Sequence, residues 1–379
     1  MAKGDDKKNA DGCDVAIVGA GPAGATAALR LSSLGHQVTL LDRDPLPKKQ
    51  PGLVWLNSRV MGLLADWKIP VKSVLERPFS DVTFFNADFS KTAKPAFKDS
   101  AGFLVDRAVL VNTLIEASRK AGTSVRGGAA VSRLRLRESE VNLELEDGKV
   151  LTSRLLVLAT GHRGELFEQA GFSRATGSGV VWSAQVDRAL PKSAAADGPR
   201  VFIVLGLDRR GGFAIFCQSA QRISAAIHWF GDREGAADAL KNTCRLAFEK
   251  KIVPVNLSDG AAEAALVRNP VAAALDMDTH VSKHCVLLGD AGGFIAAASQ
   301  EGLYPAMWSA EVAAGVVDEA LRSRHSQDVL KTFDTVWRMK MADYLRSPNT
   351  DPQFLVPLVF SNQPMADRMA AAFFSGENI

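Results

Sequence analysis

Asp14-Val15-Ala16-Ile17-Val18-Gly19-Ala20-Gly21-Pro22-Ala23-Gly24 runs a short apolar segment straight into three closely spaced glycines. The apolar part reads as a buried strand. Residues 25–34 are rich in Ala and Leu and stop at Gly35, the pattern of a helix with its terminator. His36-Gln37-Val38-Thr39-Leu40-Leu41 then forms a second apolar strand that ends at Asp42. Strand, glycine turn, helix, strand and acid make a βαβ unit of about 30 residues, with the acid roughly 20 residues past the glycines; G-x-G-x-x-G binds a dinucleotide in this context. Gly19 permits the tight turn, Gly21 lets a pyrophosphate approach the backbone, and Gly24 lets helix and strand pack closely. Pro22 and Ala23, within the turn, are counted with these glycines as cofactor-binding residues. Asp42 is expected to accept hydrogen bonds from the adenosine ribose, with Arg43 beside it. A structural glycine turn in some other α/β protein is the competing reading of a bare motif, and the flanking strand, helix and acid argue against it.

A second glycine-rich segment lies near the other end of the chain: Gly289-Asp290-Ala291-Gly292-Gly293-Phe294-Ile295-Ala296-Ala297-Ala298-Ser299-Gln300-Glu301-Gly302-Leu303-Tyr304. The apolar run Cys285-Val286-Leu287-Leu288 precedes it as a strand, and residues 305–314 follow with helical composition and Pro305 in the first turn. A strand thus delivers an acid beside glycines, and a second glycine turn opens a helix. That arrangement suits an extended cofactor, with Asp290 on a ribityl or phosphate-linked hydroxyl and the helix N-terminus at Gly302 and Leu303 facing an electron-rich group.

The two turns together resemble the FAD-binding superfamily of the geranylgeranyl reductases, the p-hydroxybenzoate hydroxylase-like enzymes and the flavin-dependent halogenases, over residues 14–317. The resemblance implies non-covalent FAD, with the early turn on its ADP half and Gly289 and Asp290 on its ribityl chain. Residues 289–314 look most like the geranylgeranyl reductase branch, where Gly-Asp-Ala is followed by Gly-Glu-Gly-Ile-Tyr and an Ala-rich helix. Similarity of this kind implies cofactor and fold more strongly than reaction. In the resembling families an arginine or glutamine at the place of Arg107 reaches back to FAD; the alternative is a surface arginine paired with Asp106. Lys48 and Lys49 fall near where such proteins contact adenine or pyrophosphate, or form a solvated pair. Glu301 is expected to turn outward, because a carboxylate beside a reduced flavin is unfavourable.

Departures from the resemblance also carry information. Hydroxylases often have Ala-Asp-Gly where this chain has Ala159-Thr160-Gly161, which puts NADPH-dependent hydroxylation in doubt and resembles halogenases and protein-modifying flavoproteins. Ala296-Ala297 stands where Asn-Pro commonly lies above the flavin. Residues 212–218 lack the halogenase tryptophans and proline, so halogenation is not expected.

Composition agrees with a globular enzyme. The chain has 379 residues, 47% hydrophobic and 23% charged, enough for a sizeable core in more than one unit. A net charge of +3 argues against nucleic acid as a partner. No stretch approaches 18 uninterrupted apolar residues, so membrane contact is expected to be peripheral at most. The charged residues 2–11 do not read as a secretory signal, and a cytoplasmic location is expected. Cys13, Cys217, Cys244 and Cys285 are scattered and read as reduced structural thiols. His280, His284 and His325 show no ligand spacing, so no metal is assigned.

The expected fold is α/β: a Rossmann-like FAD-binding domain with an inserted mixed β-sheet substrate domain and a helical C-terminus. The FAD-binding part takes residues 1–80, 106–179 and 271–317, the substrate domain 81–105 and 180–270, and the C-terminal extension 318–379. Residues 54–67 look helical, and a helix opens at Asp106. Residues 130–137 and 141–146 read as strands, with a tight Asp147-Gly148 turn into a strand over 149–153. Residues 155–161 read as a separate buried strand, and residues 180–267 look strand-like with polar breaks, 201–207, 212–217 and 223–229 forming much of an antiparallel sheet over the flavin. Phe202, Phe213, Phe216 and Trp229 are expected to line a hydrophobic substrate site or to be core. His162 and His228 are catalytic candidates, each as readily a histidine with no chemical role. The apolar 354–360 segment and residues 365–374 cap a pocket, touch a membrane or dock as plain helices. The expected activity is FAD-dependent oxidation or reduction of a small hydrophobic substrate, most like a geranylgeranyl reductase. A hydroxylase, or a flavoprotein that oxidatively modifies a partner polypeptide, is the alternative. NADH, NADPH or a protein such as ferredoxin is the expected electron donor.

Overall fold

The computed structural model describes residues 11–49, 52–162, 166–173, 180–194, 198–270, 274–347, 350 and 352–377. The expected N-terminal tail, Gln50 and Pro51, Arg163 and residues 271–273 lie outside the described residues. The early motif folds as read: β1 (Asp11–Val18), α1 (Pro22–Ser33) and β2 (Val38–Asp42). Every residue of β2 is buried, as a strand covered on both faces requires. The next segment departs from expectation. Residues 54–67 are not one helix but β3 (Leu53–Asn57) followed by α2 (Val60–Asp66), because Leu53–Asn57 pairs antiparallel with a later strand. The short α3 (Val71–Val74) leads into β4 (Leu75–Phe79), β5 (Asp81–Asn86), β6 (Thr92–Ala93) and β7 (Gly102–Asp106).

Asp106 caps α4 (Arg107–Lys120), its carboxylate accepting from the N–H groups of Ala108 at 2.9 Å and Val109 at 3.2 Å. Then follow β8 (Ser124–Gly127), β9 (Val131–Leu136), β10 (Val141–Leu145) and β11 (Val150–Leu158). The two strands expected between 149 and 161 are therefore one, with the exposed Arg154 within it donating to the Leu321 carbonyl at 2.7 Å. β1 lies between β11 and β2 in parallel register, Val15 opposite Leu155 and Val38, and the later β18 (Cys285–Leu287) and β8 flank them in the order β18-β11-β1-β2-β8. Alternation sorts the sheet's two faces. Val15, Ile17, Leu40 and Val157 meet α1, α4 and the later α7, while Ala16, Val18, Leu41 and Leu158 meet the β9–β10 hairpin.

The second sheet comprises β12 (Val180–Ala189), β13 (Arg200–Leu205), β14 (Phe213–Gln218), β15 (Arg222–Trp229) and β16 (Val267–Pro270) with β5 and β6. Between β15 and β16 the strand-like pattern gives way to helix. Arg233–Glu249 is a helix, α5, capped by Asp232 and burying Ala236, Leu240, Cys244 and Ala247 at helical spacing, and α6 (Ser258–Glu263) follows. These helices cover one face of the sheet. The chain then returns to the first sheet with β17 (Val281–Ser282) and β18 (Cys285–Leu287), a 3₁₀ turn over Gly289–Gly292, and α7 (Leu303–Arg322). α7 starts two residues earlier and ends later than the composition suggested. The expected helical C-terminus is α8 (Ser326–Lys331), α9 (Phe333–Leu345), α10 (Pro352–Val359) and α11 (Gln363–Ser375). α10 and α11 bury Leu355, Val359, Phe373 and Phe374 against the face of the second sheet opposite α5. Among the described residues no helix is long and apolar enough to cross a membrane.

Candidate functional site

The two glycine motifs, far apart in sequence, meet in space. Gly289 has φ +59°, and a Cβ built on it would stand 2.9 Å from the Ala23 Cβ. The Gly289 N–H donates to the Ser309 hydroxyl of α7 at 3.2 Å, so turn, α1 and α7 are tied at one point. Gly19 has φ +105° and a Cβ there would overlap the Ala159 carbonyl; one at Gly24 would overlap the Gly19 carbonyl. Only glycine fits either place. A Cβ at Gly21 or Gly161, by contrast, would meet nothing within 4 Å. The backbone borders open space there, and the N-cap of α1 has no side chain on its free N–H groups. An anion-accepting cradle has this form, and the residues present fit the pyrophosphate of a dinucleotide.

Asp42 is 6% exposed and already engaged. Its Oδ2 accepts from the Ala20 N–H at 2.6 Å, and its Oδ1 from the Asp44 N–H at 2.9 Å and Lys48 Nζ at 2.7 Å. The carboxylate therefore clamps the glycine turn to β2 and keeps about one lone pair for a ribose hydroxyl. Lys48 is not a solvated partner of Lys49: beyond its ion pairs with Asp42 and Asp44, its backbone is bonded both ways to the Asn112 amide. Arg43 is exposed, with Asp44 at 4.0 Å.

Asp290 lies partly buried in the 3₁₀ turn, where burial pushes its carboxyl upward and the nearby Arg107 and His162 oppose the rise. Among the described residues its carboxylate accepts no hydrogen bond from another residue. Arg107 is not held by Asp106, which caps α4 and pairs with Arg222. Its charge instead faces the Asp290–His162 space. His162 is lowered by partial burial, with Asp290 opposing and Arg43 and Arg107 reinforcing the shift. Arg43, Arg107, Gly161, His162, Gly289 and Asp290 thus border one region beside the early glycine turn. His280, not singled out from the sequence, supports it from behind: its Nε2 lies 2.7 Å from the Gly292 carbonyl and its Nδ1 3.4 Å from Asp334.

Gly302 is the N-cap of α7, and a Cβ there would stand 3.0 Å from Asp290 Oδ1. The expectation that Glu301 turns outward fails. Its side chain is buried, with Oε1 accepting from the Tyr304 N–H at 2.7 Å and the Leu303 N–H beside it, so it meets the first donors of α7 itself. Oε2 accepts from the Tyr344 hydroxyl at 3.2 Å. Tyr344 in turn accepts from Asn57 Nδ2 at 3.1 Å, and the same amide donates to the Phe374 carbonyl at 2.7 Å. Burial drives the Glu301 carboxyl up to about 7, against the hydrogen bonds it accepts. Burial thus moves its proton release into the neutral range, which weakens the objection to a carboxylate in this place.

Beyond Ala296 the loop toward α7 forms one wall of a cleft. Ala297 and Ala298 face Leu205, Phe213, Phe230, Val356, Met369 and Phe373, with Arg210 and Gly211 at the rim; the cleft encloses about 480 Å³ counted to its open mouth. Of the four aromatics expected here, Phe213 lines it and stacks on His228 at 4.8 Å. Phe202, Phe216 and Trp229 point to the opposite face of the sheet, under α5, because each sits at the other parity of its strand. His228 stands behind Phe213, its ring lowered to about 4 by burial and its Nδ1 without a partner. It is a neutral wall residue. The four cysteines are free thiols, and no group of metal-binding side chains occurs among the described residues.

Comparisons with known proteins agree with this geometry. The chain is 29% identical over 178 residues to the ubiquinone hydroxylase UbiM of Neisseria meningitidis, covering 42% of this chain and 38% of that protein. It is 22% identical over 343 residues to the digeranylgeranylglycerophospholipid reductase of Methanococcus vannielii, covering 88% of this chain and 84% of that one. In fold it is similar to a geranylgeranyl bacteriochlorophyll reductase-like protein of Thermoplasma acidophilum, with a TM-score of 0.73 at 15% identity and 97% of each chain covered. The family model described as FAD binding domain matches residues 12–291, well over half of the chain. With its two glycine turns meeting at Ala23 and Gly289, the chain belongs to the FAD binding domain family.

Proposed function

We propose that the protein is an FAD-dependent oxidoreductase acting on a small hydrophobic organic molecule. The observation that carries this reading is that the apolar cleft and the cofactor cradle share a wall. The loop from Asp290 to Gly302 borders the cradle at one end and supplies Ala297 and Ala298 to the cleft. When bound, FAD supplies two-electron transfer between a donor and the molecule in the cleft. The glycine turn and the N-terminus of α1 bind its pyrophosphate, Asp42 takes a ribose hydroxyl, and Asp290 orients the ribityl chain. Arg107 and Arg43 offset the phosphate charge. Glu301 takes up or releases a proton at the N-terminus of α7 near neutral pH. Phe213, Phe230, Val356, Met369 and Phe373 exclude water from the apolar part of the ligand.

Reduction of a carbon–carbon double bond is the favoured chemistry, because residues 289–314 resemble the geranylgeranyl reductases and the matched reductase spans most of the chain. Oxygenation is the second reading, supported by the similarity to a ubiquinone hydroxylase over part of the chain. Modification of a partner polypeptide rests on the Ala159-Thr160-Gly161 turn and the modest length of the chain. The test begins with FAD content and anaerobic reduction by NADH, NADPH and reduced ferredoxin. The reduced protein is then given an apolar cell extract under ¹⁸O₂ or argon, with mass spectrometry of the products. A gain of two hydrogens marks the reductase and incorporation of one ¹⁸O marks the monooxygenase. A protein that binds no FAD refutes both.

A further inference from the structure

The rim of the cleft says more about its occupant than the apolar walls do. Among the described residues Arg210 is the one charged residue lining it, and no carboxylate does. The loop that presents Arg210 is tightly tied. Asp208 Oδ1 accepts from the N–H groups of Arg210 at 2.7 Å and Gly212 at 2.8 Å, and Oδ2 accepts from the Phe230 N–H at 2.9 Å. Three backbone donors thus turn the Asp208 charge into the loop, and among the described residues Arg210 has no ion pair. The guanidinium's one hydrogen bond among them, from Nη1 to the Phe230 carbonyl at 3.3 Å, leaves most of it free. That bond sets the exposed side chain beside Phe230 at the rim. α10 closes the same rim from the other side: a Cβ at Gly206 would stand 3.4 Å from Val356. An exposed guanidinium with one tether at the rim of an apolar cleft that ends at Ala297 and Ala298 suits a ligand apolar at its inner end and anionic at its outer end.

Resting on the proposed oxidoreductase reading, we propose that the cleft selects hydrophobic organic anions, with Arg210 binding the carboxylate or comparable anionic group while the apolar end reaches the cofactor side. The remote charge contributes binding and register rather than chemistry.

The test uses the FAD-loaded protein at pH 8 with decanoate and 1-decanol, matched in chain length, titrated by calorimetry and by perturbation of the flavin absorbance. One charge-assisted hydrogen bond at a solvent-accessible rim predicts about tenfold tighter binding of decanoate. Arg210→Met should erase that preference while leaving decanol binding within about twofold. Arg210→Lys should keep much of it, and Arg209→Met, on the neighbouring exposed arginine, should keep all of it. Equal affinities in the wild type, a preference that survives Arg210→Met, or binding of neither probe would each overturn the proposal. Loss of the functional reading is recognised separately, by absence of FAD, because calorimetry reports the decanoate–decanol difference without it.

Discussion

Glu301→Gln tests the least expected feature of the site. The carboxyl is 6% exposed and raised from an ordinary 4.5 to about 7, mainly by burial. In the unfolded chain it ionises near 4.5. Between these values the folded state holds a proton that the unfolded state has released, so stability falls as pH rises through the window and levels off above it. A shift of this size corresponds to about 3 kcal/mol, and roughly 2–3 kcal/mol of it is lost between pH 5 and pH 8. Glutamine keeps the shape, accepts from the Tyr304 N–H through its oxygen, and does not titrate. Reorienting the Tyr344 hydroxyl costs the variant the same at every pH. Relative to the wild type, Glu301→Gln should therefore gain about 2–3 kcal/mol from pH 5 to pH 8, roughly 3 °C in Tm for a chain of this size. The assay is thermal unfolding followed by tryptophan fluorescence, with both proteins saturated with FAD at each pH. A difference between variant and wild type that stays constant from pH 5 to pH 8 would refute the assignment of a buried, protonated Glu301.

Three further outcomes are expected. Asp290→Ala should leave a folded apoprotein whose FAD affinity is about ten- to a hundredfold weaker, since it removes one charge-assisted acceptor and strands no protein donor; equilibrium dialysis showing unchanged affinity would remove Asp290 from the cofactor site. Gly24→Val puts a branched side chain onto the Gly19 carbonyl and should cost about 3 kcal/mol or more, with loss of FAD; a variant with wild-type Tm and a full complement of FAD contradicts that contact. Asp334 is partly buried, but hydrogen bonds from His280 and Thr279 outweigh burial and hold its carboxyl far below the ordinary range. Asp334→Ala should therefore destabilise the protein by about 2–3 kcal/mol at pH 7 and loosen FAD through His280 and Gly292, as denaturant midpoints and FAD release rates would show.

The cofactor side of the molecule was legible because its constraints are local. A glycine forced by φ or by close approach, a proline at a helix start and an acid at a strand end each announce themselves within a few residues, and Gly19, Gly24 and Gly289 sit where those rules put them. Glu301 was misjudged because its environment is not local. The hydroxyl that meets it belongs to Tyr344, brought over by α9, and the amide behind that hydroxyl belongs to Asn57 on β3. The substrate sheet failed in another way. Alternation along β14 and β15 separates Phe213 and His228 from Phe216 and Trp229 without saying which pair faces inward, and helix α5, hidden in a stretch read as strand, occupies the far side. A signal for the choice was nevertheless present in β12, where Ser183, Gln185 and Asp187 alternate with Ala184 and Val186. Gln185 and Asp187 bond the backbone of Leu53 on β3, as does Ser224 of β15. Polar side chains facing a neighbouring strand's free backbone mark the face that turns toward the cofactor domain. His228 pairs with Ser183 across the ladder, so it shares that face, and Phe213, opposite His228, shares it too. The parity that places Phe213 in the cleft thus follows from the polar stripe of β12 rather than from the aromatic residues themselves.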